Sequence, residues 1–238
     1  MSDPSAVTVA TDPATLRKIA DEAFTAFNSG GRHVQSFSAR YPGFTLDDAY
    51  RVTALANELR VANGYKPVGR KAGFTNRQMW KEYGVSAPNW GYVYDRTLHD
   101  LAVPLPLAPY TEPKIEPEIM FGLATAPSPG MDNAALLCHE IGTGADEWLR
   151  TLRQFEVELY CDGKLMERGY GSNVLEGPLS AVRYLVELLA RDPDNPPLAA
   201  GEIISTGTLT RALPVNPGEM WTTKLRGIDL EGASLRLA

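Results

Sequence analysis

From Lys66 to the C-terminus, Pro and Gly break the chain at short intervals, and this pattern constrains the fold more than any other feature. Apolar runs of strand length fit between the breaks; long helices mostly do not. Residues 101–113 carry four prolines, which suits extended, edge-like chain and not a central strand. Residues 114–123 read as a strand. Residues 155–161 and 164–169 flank Asp162-Gly163, a dipeptide suited to a type I′ hairpin turn. Residues 202–206, 220–228 and 233–237 read as further strands. Strands outnumber helices and do not alternate regularly with them. The expected class is therefore α+β with a mixed sheet, not a doubly wound one.

Before Lys66 the periodicity is helical. Asp12 stands as an N-cap ahead of Pro13, the favoured first helical residue. Leu16, Ile19, Ala20, Ala23, Phe24 and Phe27 then recur at helical spacing, and Asn28-Ser29-Gly30-Gly31 ends the run. A second helix starts at Thr45, where Asp48 completes a capping box. Ala49, Val52, Leu55, Ala56 and Leu59 form its stripe, and Asn63-Gly64 stops it. Residues 178–191 read as a third helix, opened by Pro178 and apolar at Leu179, Val182, Val186 and Leu189. The expected organisation is an N-terminal helical segment at 1–65 and a second domain at 66–238, together one compact unit.

Of the 238 residues, 44% are hydrophobic and 22% charged, with a formal net charge of −6. A disordered chain and a nucleic-acid partner are both disfavoured by that balance. No stretch reaches the ~18–20 apolar residues of a membrane span, and residues 1–11 read as a polar tail, not a signal peptide. The two cysteines, Cys138 and Cys161, suit free thiols in a reducing cytoplasm. His33, His99 and His139 are isolated, so a metal site would have to be built from carboxylates.

Three runs can carry chemistry. In Glu116-Pro117-Glu118, strand parity puts both carboxylates on one face, ~6–7 Å apart, where they can converge on a hard cation such as Mg²⁺ or line a solvated edge. In Gly69-Arg70-Lys71-Ala72-Gly73-Phe74-Thr75, Lys71 sits between glycines. Beside a bound cation its pKa would fall and it could relay protons; otherwise it is a turn lysine. In Ser205-Thr206-Gly207-Thr208-Leu209-Thr210, hydroxyls and amides could hold a carboxylate or simply cap a turn.

These runs, in order with Pro88-Asn89-Trp90-Gly91 and Pro214-Val215-Asn216-Pro217-Gly218, resemble the 2-keto-4-pentenoate hydratase branch of the fumarylacetoacetate hydrolase superfamily. The resemblance covers about Tyr41 to Leu237. It implies a mixed β-sheet roll with flanking helices, and makes 66–238 the catalytic domain. It also implies a homodimer or larger assembly, Mg²⁺ or Mn²⁺, and small 2-oxo or 2-hydroxy-dienoic acid substrates of aromatic catabolism. Carried over by position, Glu116 and Glu118 become metal ligands and Lys71 the acid/base residue. Asn89 takes a catalytic position, and Gly207 and Thr208 become a carboxylate-binding loop. Arg70 and Thr75 flank the substrate in the same reading, with Arg70 or Arg211 as a second cation for a diacid.

The chain departs from the family pattern twice. Asn89 stands where hydratases commonly carry an aspartate, and an amide cannot act as a carboxylate base. The family's third acidic ligand has no counterpart, because a helix-plus-strand segment is missing between Leu137 and Ile141. Glu140 is nearest that junction, while Glu156 and Glu158 lie past the site, so the third ligand stays unassigned. The expected reaction is metal-dependent hydration of a 2-hydroxy-2,4-dienoate to a 4-hydroxy-2-oxo acid. The alternatives are decarboxylation of a 2-oxo diacid (4-oxalocrotonate type) and a non-catalytic relative that binds oxo acids.

Overall fold

The structure is a computed structural model that describes residues 11–29, 34–136 and 145–238. The tail at 1–10, the Gly30-Gly31 stop, His33, Cys138, His139, Glu140 and the 137–141 junction lie outside the described residues. The chain forms two compact units, Met1–Lys66 with Pro109–Thr111, and Pro67–Ala108 with Glu112–Ala238.

The first unit holds α1 (Pro13–Asn28), α2 (Phe37–Arg40) and α3 (Leu46–Ala62). Asp12 caps α1 by accepting from the Ala14 and Thr15 amides, both at 3.0 Å. Thr45 and Asp48 cap α3 reciprocally, each taking the other's backbone N–H at 3.1 Å. Leu16, Ile19 and Ala20 of α1 meet Val52 of α3, and Phe37, Tyr41 and Phe44 close the cluster. The outer stripe position Phe27 instead lies under the Arg60 guanidinium, 3.8 Å from its ring centroid.

The second unit is built on two sheets. Its helices are α4 (Trp80–Tyr83), α5 (Asn133–Leu136), α6 (Ala145–Gln154) and α7 (Pro178–Leu189). Its strands are β1 (Pro67–Gly73), β2 (Asn89–Tyr94), β3 (Lys114–Ile115), β4 (Glu118–Gly122), β5 (Glu156–Cys161) and β6 (Lys164–Tyr170), then β7 (Ile203–Thr208), β8 (Leu213–Pro214), β9 (Met220–Arg226) and β10 (Ser234–Arg236). One sheet runs β2-β1-β7-β4 and the other β10-β9-β5-β6. The first is mixed, since β1 and β7 are parallel while the other pairs are antiparallel. The second is antiparallel throughout. Helix α7 buries Leu179, Val182, Leu185, Val186 and Leu189. Leu107, Leu159, Val215, Trp221 and Leu237 form a further core cluster.

The expected strand at 114–123 is broken. Lys114–Ile115 pairs with β8, whereas Glu118–Gly122 pairs with β7. Pro117 lies at the break, where it has no N–H to give a ladder, and its carbonyl accepts from the Leu209 amide at 2.9 Å. Helix α6 was not expected; its polar ends and single apolar stripe sit just after the segment that lies outside the described residues.

Candidate active site

Strand parity sorts the Gly69–Thr75 run into two faces. Lys71 and Gly73 share one face of β1, opposite Gly91 and Asn89 of β2. Arg70 and Ala72 share the other and are buried. Lys71 also pairs across the parallel register with Ser205 of β7, while Glu118 of β4 lies opposite Thr208. Three strands thus bring Lys71, Ser205 and Glu118 together.

The Lys71 ammonium donates to Glu118 Oε1 and stands 3.5 Å from Glu116 Oε2. The other Glu118 oxygen accepts from the Ser205 hydroxyl and, at 3.0 Å, from the Gly207 amide. Glu118 is therefore fixed through both oxygens, with its side chain 9% exposed. Glu116, 34% exposed, is held only on one side. Burial works against charge on Lys71, but the charges and hydrogen bonds of Glu118 and then Glu116 outweigh it. Its pKa stands above that of an ordinary lysine in the absence of a cation.

Lys71, Glu116, Glu118 and Gly207 line a cavity of about 270 Å³ together with Phe74, Thr75, Asn89, Thr208 and Arg211. That is below the ~300–1,000 Å³ of drug-sized pockets and suits a ligand of few carbons. Asn89 lies at its rim, so close to β1 that a Cβ on Gly73 would stand 2.4 Å from Asn89 Oδ1. Thr75 is 1% exposed, and its hydroxyl has no hydrogen-bond partner among the described residues. It is the buried polar group of the wall that a ligand oxygen would satisfy.

Of the expected substrate contacts, Gly207 and Thr208 stand at the cavity wall and Arg70 does not. Arg70 is 2% exposed, donates to Glu202 at 3.1 Å and lies over the Tyr92 ring at 4.0 Å. One residue's difference in strand parity turns it away from Lys71. The Gly207-Thr208 loop does hold a carboxylate by its amide, but that carboxylate is Glu118's. The Thr208 hydroxyl donates to the Thr210 carbonyl at 2.9 Å and closes a turn.

Ser205 was missed as a partner of Glu118 because only the β1–β7 register puts it there. Met79 and Tyr83 also line the cavity and were missed with α4, a helix too short to leave a periodic signal. Tyr83 packs on Phe74, with ring centroids 5.5 Å apart.

The donor set fits a hard divalent cation. Carboxylate oxygens are its preferred ligands, and Mg²⁺ commonly takes one or two from the protein and the rest from water and substrate. Among the described residues no cluster of three or more His, Cys, Asp or Glu is placed to hold a metal, so the fit rests on Glu116 and Glu118.

The two-sheet fold is that of the fumarylacetoacetate hydrolase superfamily. No family model matches the chain. The 4-oxalocrotonate decarboxylase of Pseudomonas sp. (strain CF600) is 30% identical over 230 residues, 79% of this chain and 84% of that protein. The 2-keto-4-pentenoate hydratase of Paraburkholderia phymatum is 29% identical over 224 residues, 78% of this chain and 84% of that protein. The solved 4-oxalocrotonate decarboxylase from Pseudomonas putida G7, complexed with calcium and acetate, superposes with a TM-score of 0.82 at 26% identity, covering 96% of this chain and 99% of that one. The same enzyme is also known with magnesium and adipate. The chain belongs to the superfamily branch that holds the 2-keto-4-pentenoate hydratases and 4-oxalocrotonate decarboxylases.

The alignments also measure a difference in length. The 224 aligned residues correspond to 78% of 238, about 186 residues of this chain, so about 38 positions of the hydratase have no counterpart here.

Proposed function

We propose that the chain is a hydro-lyase that adds water to a 2-hydroxy-2,4-dienoic acid, giving a 4-hydroxy-2-oxo acid, and that it works with Mg²⁺ or Mn²⁺. The observation that carries this reading is the Lys71 ammonium held between Glu116 and Glu118 at the wall of a small cavity. Glu116 and Glu118 would hold the cation, which when bound supplies Lewis-acid polarisation of the substrate's carboxylate and 2-oxygen.

The chain's own groups then move the protons. In the substrate, a proton arrives at C5 as the enol O–H proton leaves, and water next adds with its oxygen at C4 and a proton at C3. Lys71, at the cavity wall between the two carboxylates, carries these protons, as a donor first and a base afterwards. Ser205 and Gly207 keep Glu118 in one orientation. The Thr75 hydroxyl donates to a substrate oxygen. Asn89, which cannot take a proton, orients substrate or water by hydrogen bonds. Phe74, Met79 and Tyr83 shield the carbon chain from bulk water.

A second reading is favoured by the decarboxylases among the relatives: loss of CO₂ from a 2-oxo diacid in the same cavity. The dienol absorbs in the ultraviolet, so the test is loss of that band with purified protein and Mg²⁺. An unchanged band with CO₂ released from a 2-oxo diacid replaces the hydratase by the decarboxylase. Oxo-acid binding without either reaction makes this a non-catalytic relative.

A homodimer or larger assembly in the cytoplasm, serving aromatic catabolism, completes the proposal. Exposed Met120, Leu165 and Met166 offer apolar surface to such an assembly. Among the described residues no helix is long and apolar enough to cross a membrane.

A further inference from the structure

Strand β1 carries two adjacent cations, Arg70 and Lys71, and strand parity lets only one of them face the cavity. From Gly69 to Gly73 the single apolar side chain is Ala72, so hydrophobic alternation gives this strand little preference for one face over the other. A slip of one residue against β7 would turn Arg70 toward the cavity and Lys71 away from it. What tells the two apart lies on the far side of the sheet. Arg70 Nη1 donates to Glu202 at 3.1 Å, and the guanidinium lies 4.0 Å from the Tyr92 ring centroid and 5.5 Å from that of Trp90. A planar, weakly hydrated guanidinium stacks on aromatic rings, whereas a compact ammonium is held more strongly by water.

We propose that Arg70 is a positioning residue: its contacts with Glu202, Tyr92 and Trp90 select which face of β1 is buried, and so place Lys71 against Glu118 and Ser205. The contacts span the whole sheet, whose order is β2-β1-β7-β4. Trp90 and Tyr92 belong to β2. Glu202 immediately precedes β7, and its carbonyl accepts from the Leu123 amide at 2.9 Å, just past the end of β4. Beside the ion pair β1 lies hard against β7, since a Cβ on Gly69 would stand 1.9 Å from the Ile203 carbonyl oxygen. The register held there is the one that sets Lys71 opposite Ser205. Stability alone does not call for such a pair. Arg70 Nε is buried with no hydrogen-bond partner among the described residues, and burial of Glu202 outweighs the Arg70 charge and lifts its pKa above the ordinary carboxylate value. An apolar pair of similar volume would hold the fold as well.

The test pairs stability with rate, and its rate measurement rests on the hydration reading above. Arg70→Met and Glu202→Gln each leave one charge of the pair without its partner and should lower the urea midpoint. Replacing both, as Arg70→Met with Glu202→Leu, should return the midpoint to the wild-type value. In that double variant kcat for loss of the dienol band should stay roughly 10–100-fold down, with KM changed far less, because a displaced Lys71 is felt in the chemical step. Arg70→Lys keeps the charge but not the planar stack and should recover only part of kcat. Amide hydrogen exchange at 69–71 and 203–205 reads the same clamp without turnover: in the restabilised double variant these amides should exchange at least ~10-fold faster than in wild type. Wild-type kcat in the restabilised double variant overturns the proposal. If wild-type protein releases CO₂ from a 2-oxo diacid instead, the hydration reading has failed and the kcat of that reaction is read in the same way. If it performs neither reaction, exchange alone decides, and unchanged protection at 69–71 overturns the clamp. Should the double variant not fold, Arg70→Lys and Glu202→Gln take its place, and a kcat per folded molecule equal to wild type in both overturns the proposal.

Discussion

Gly207 and Thr75 approach so closely that a Cβ on Gly207 would stand 1.9 Å from Thr75 Oγ1. The glycine also has φ +98, a conformation that L side chains rarely adopt. Both restrictions fall on the residue whose amide orients Glu118. The absence of a side chain at 207 thus keeps two walls of the cavity in contact and one carboxylate in place.

Gly207→Ala should accordingly be destabilising by roughly 2–4 kcal/mol, from overpacking and from the unfavourable backbone conformation together. Urea unfolding would measure it. Gly130→Ala is the comparison: it shares a positive φ but has open space around it, so it should cost less. Equal losses at the two positions would show that the Thr75 contact is unimportant.

Lys71→Ala should lower kcat by roughly 10²–10⁴-fold, the range for a positioned acid–base group. Lys71→Arg retains the charge between Glu116 and Glu118 but gives up its proton far less readily. It should therefore preserve stability in thermal melts better than Lys71→Ala while recovering little activity. Full activity in Lys71→Arg would mean that the charge, and not proton transfer, is what the reaction needs.

A chelator should abolish turnover, and Mg²⁺ or Mn²⁺ should restore it. Glu118→Gln should raise the metal concentration needed for half-maximal activity, since one of two carboxylates is lost. Ser205→Ala leaves the carboxylate but removes one of its hydrogen bonds. Its shift in metal requirement should be in the same direction and smaller. Mn²⁺ titration followed by electron spin resonance checks both variants without relying on activity.

What could be read from sequence and what could not divide along local and non-local lines. Asp12 with Pro13, Thr45 with Asp48, and Asp162-Gly163 are local devices, and α1, α3 and the β5–β6 hairpin begin or turn at those residues. Glu116, Glu118 and Lys71 were legible because their motifs are short and ordered along the chain. Arg70 was not, although it is next to Lys71. Which face of β1 meets the cavity depends on β2 and β7, and burial beside Glu202 and Tyr92 decides its role. Ser205 likewise acquires its position from strand register. The break at Pro117 was foreseeable from its missing N–H, yet alternation on either side of it masked the change of partner from β8 to β7.

Acid should weaken the protein through Glu158, a group that does not line the cavity. This carboxylate on β5 is 2% exposed. It accepts from the Tyr160 hydroxyl at 2.9 Å, and from Arg226 and Arg168 at 3.0 and 2.9 Å. The Tyr160 bond above all, then the two arginines, outweigh burial and hold its pKa below the ordinary carboxylate value. A group with a depressed folded pKa stabilises fully above its unfolded pKa and loses that contribution as pH falls through the folded one. The difference in melting temperature between wild type and Glu158→Gln should therefore be constant near neutral pH and shrink below about pH 4. Arg226→Gln should shrink it over a window shifted toward higher pH, because the carboxylate is then held less firmly. A difference that stays the same down to pH 3 would show that Glu158 contributes by packing and not by its charge.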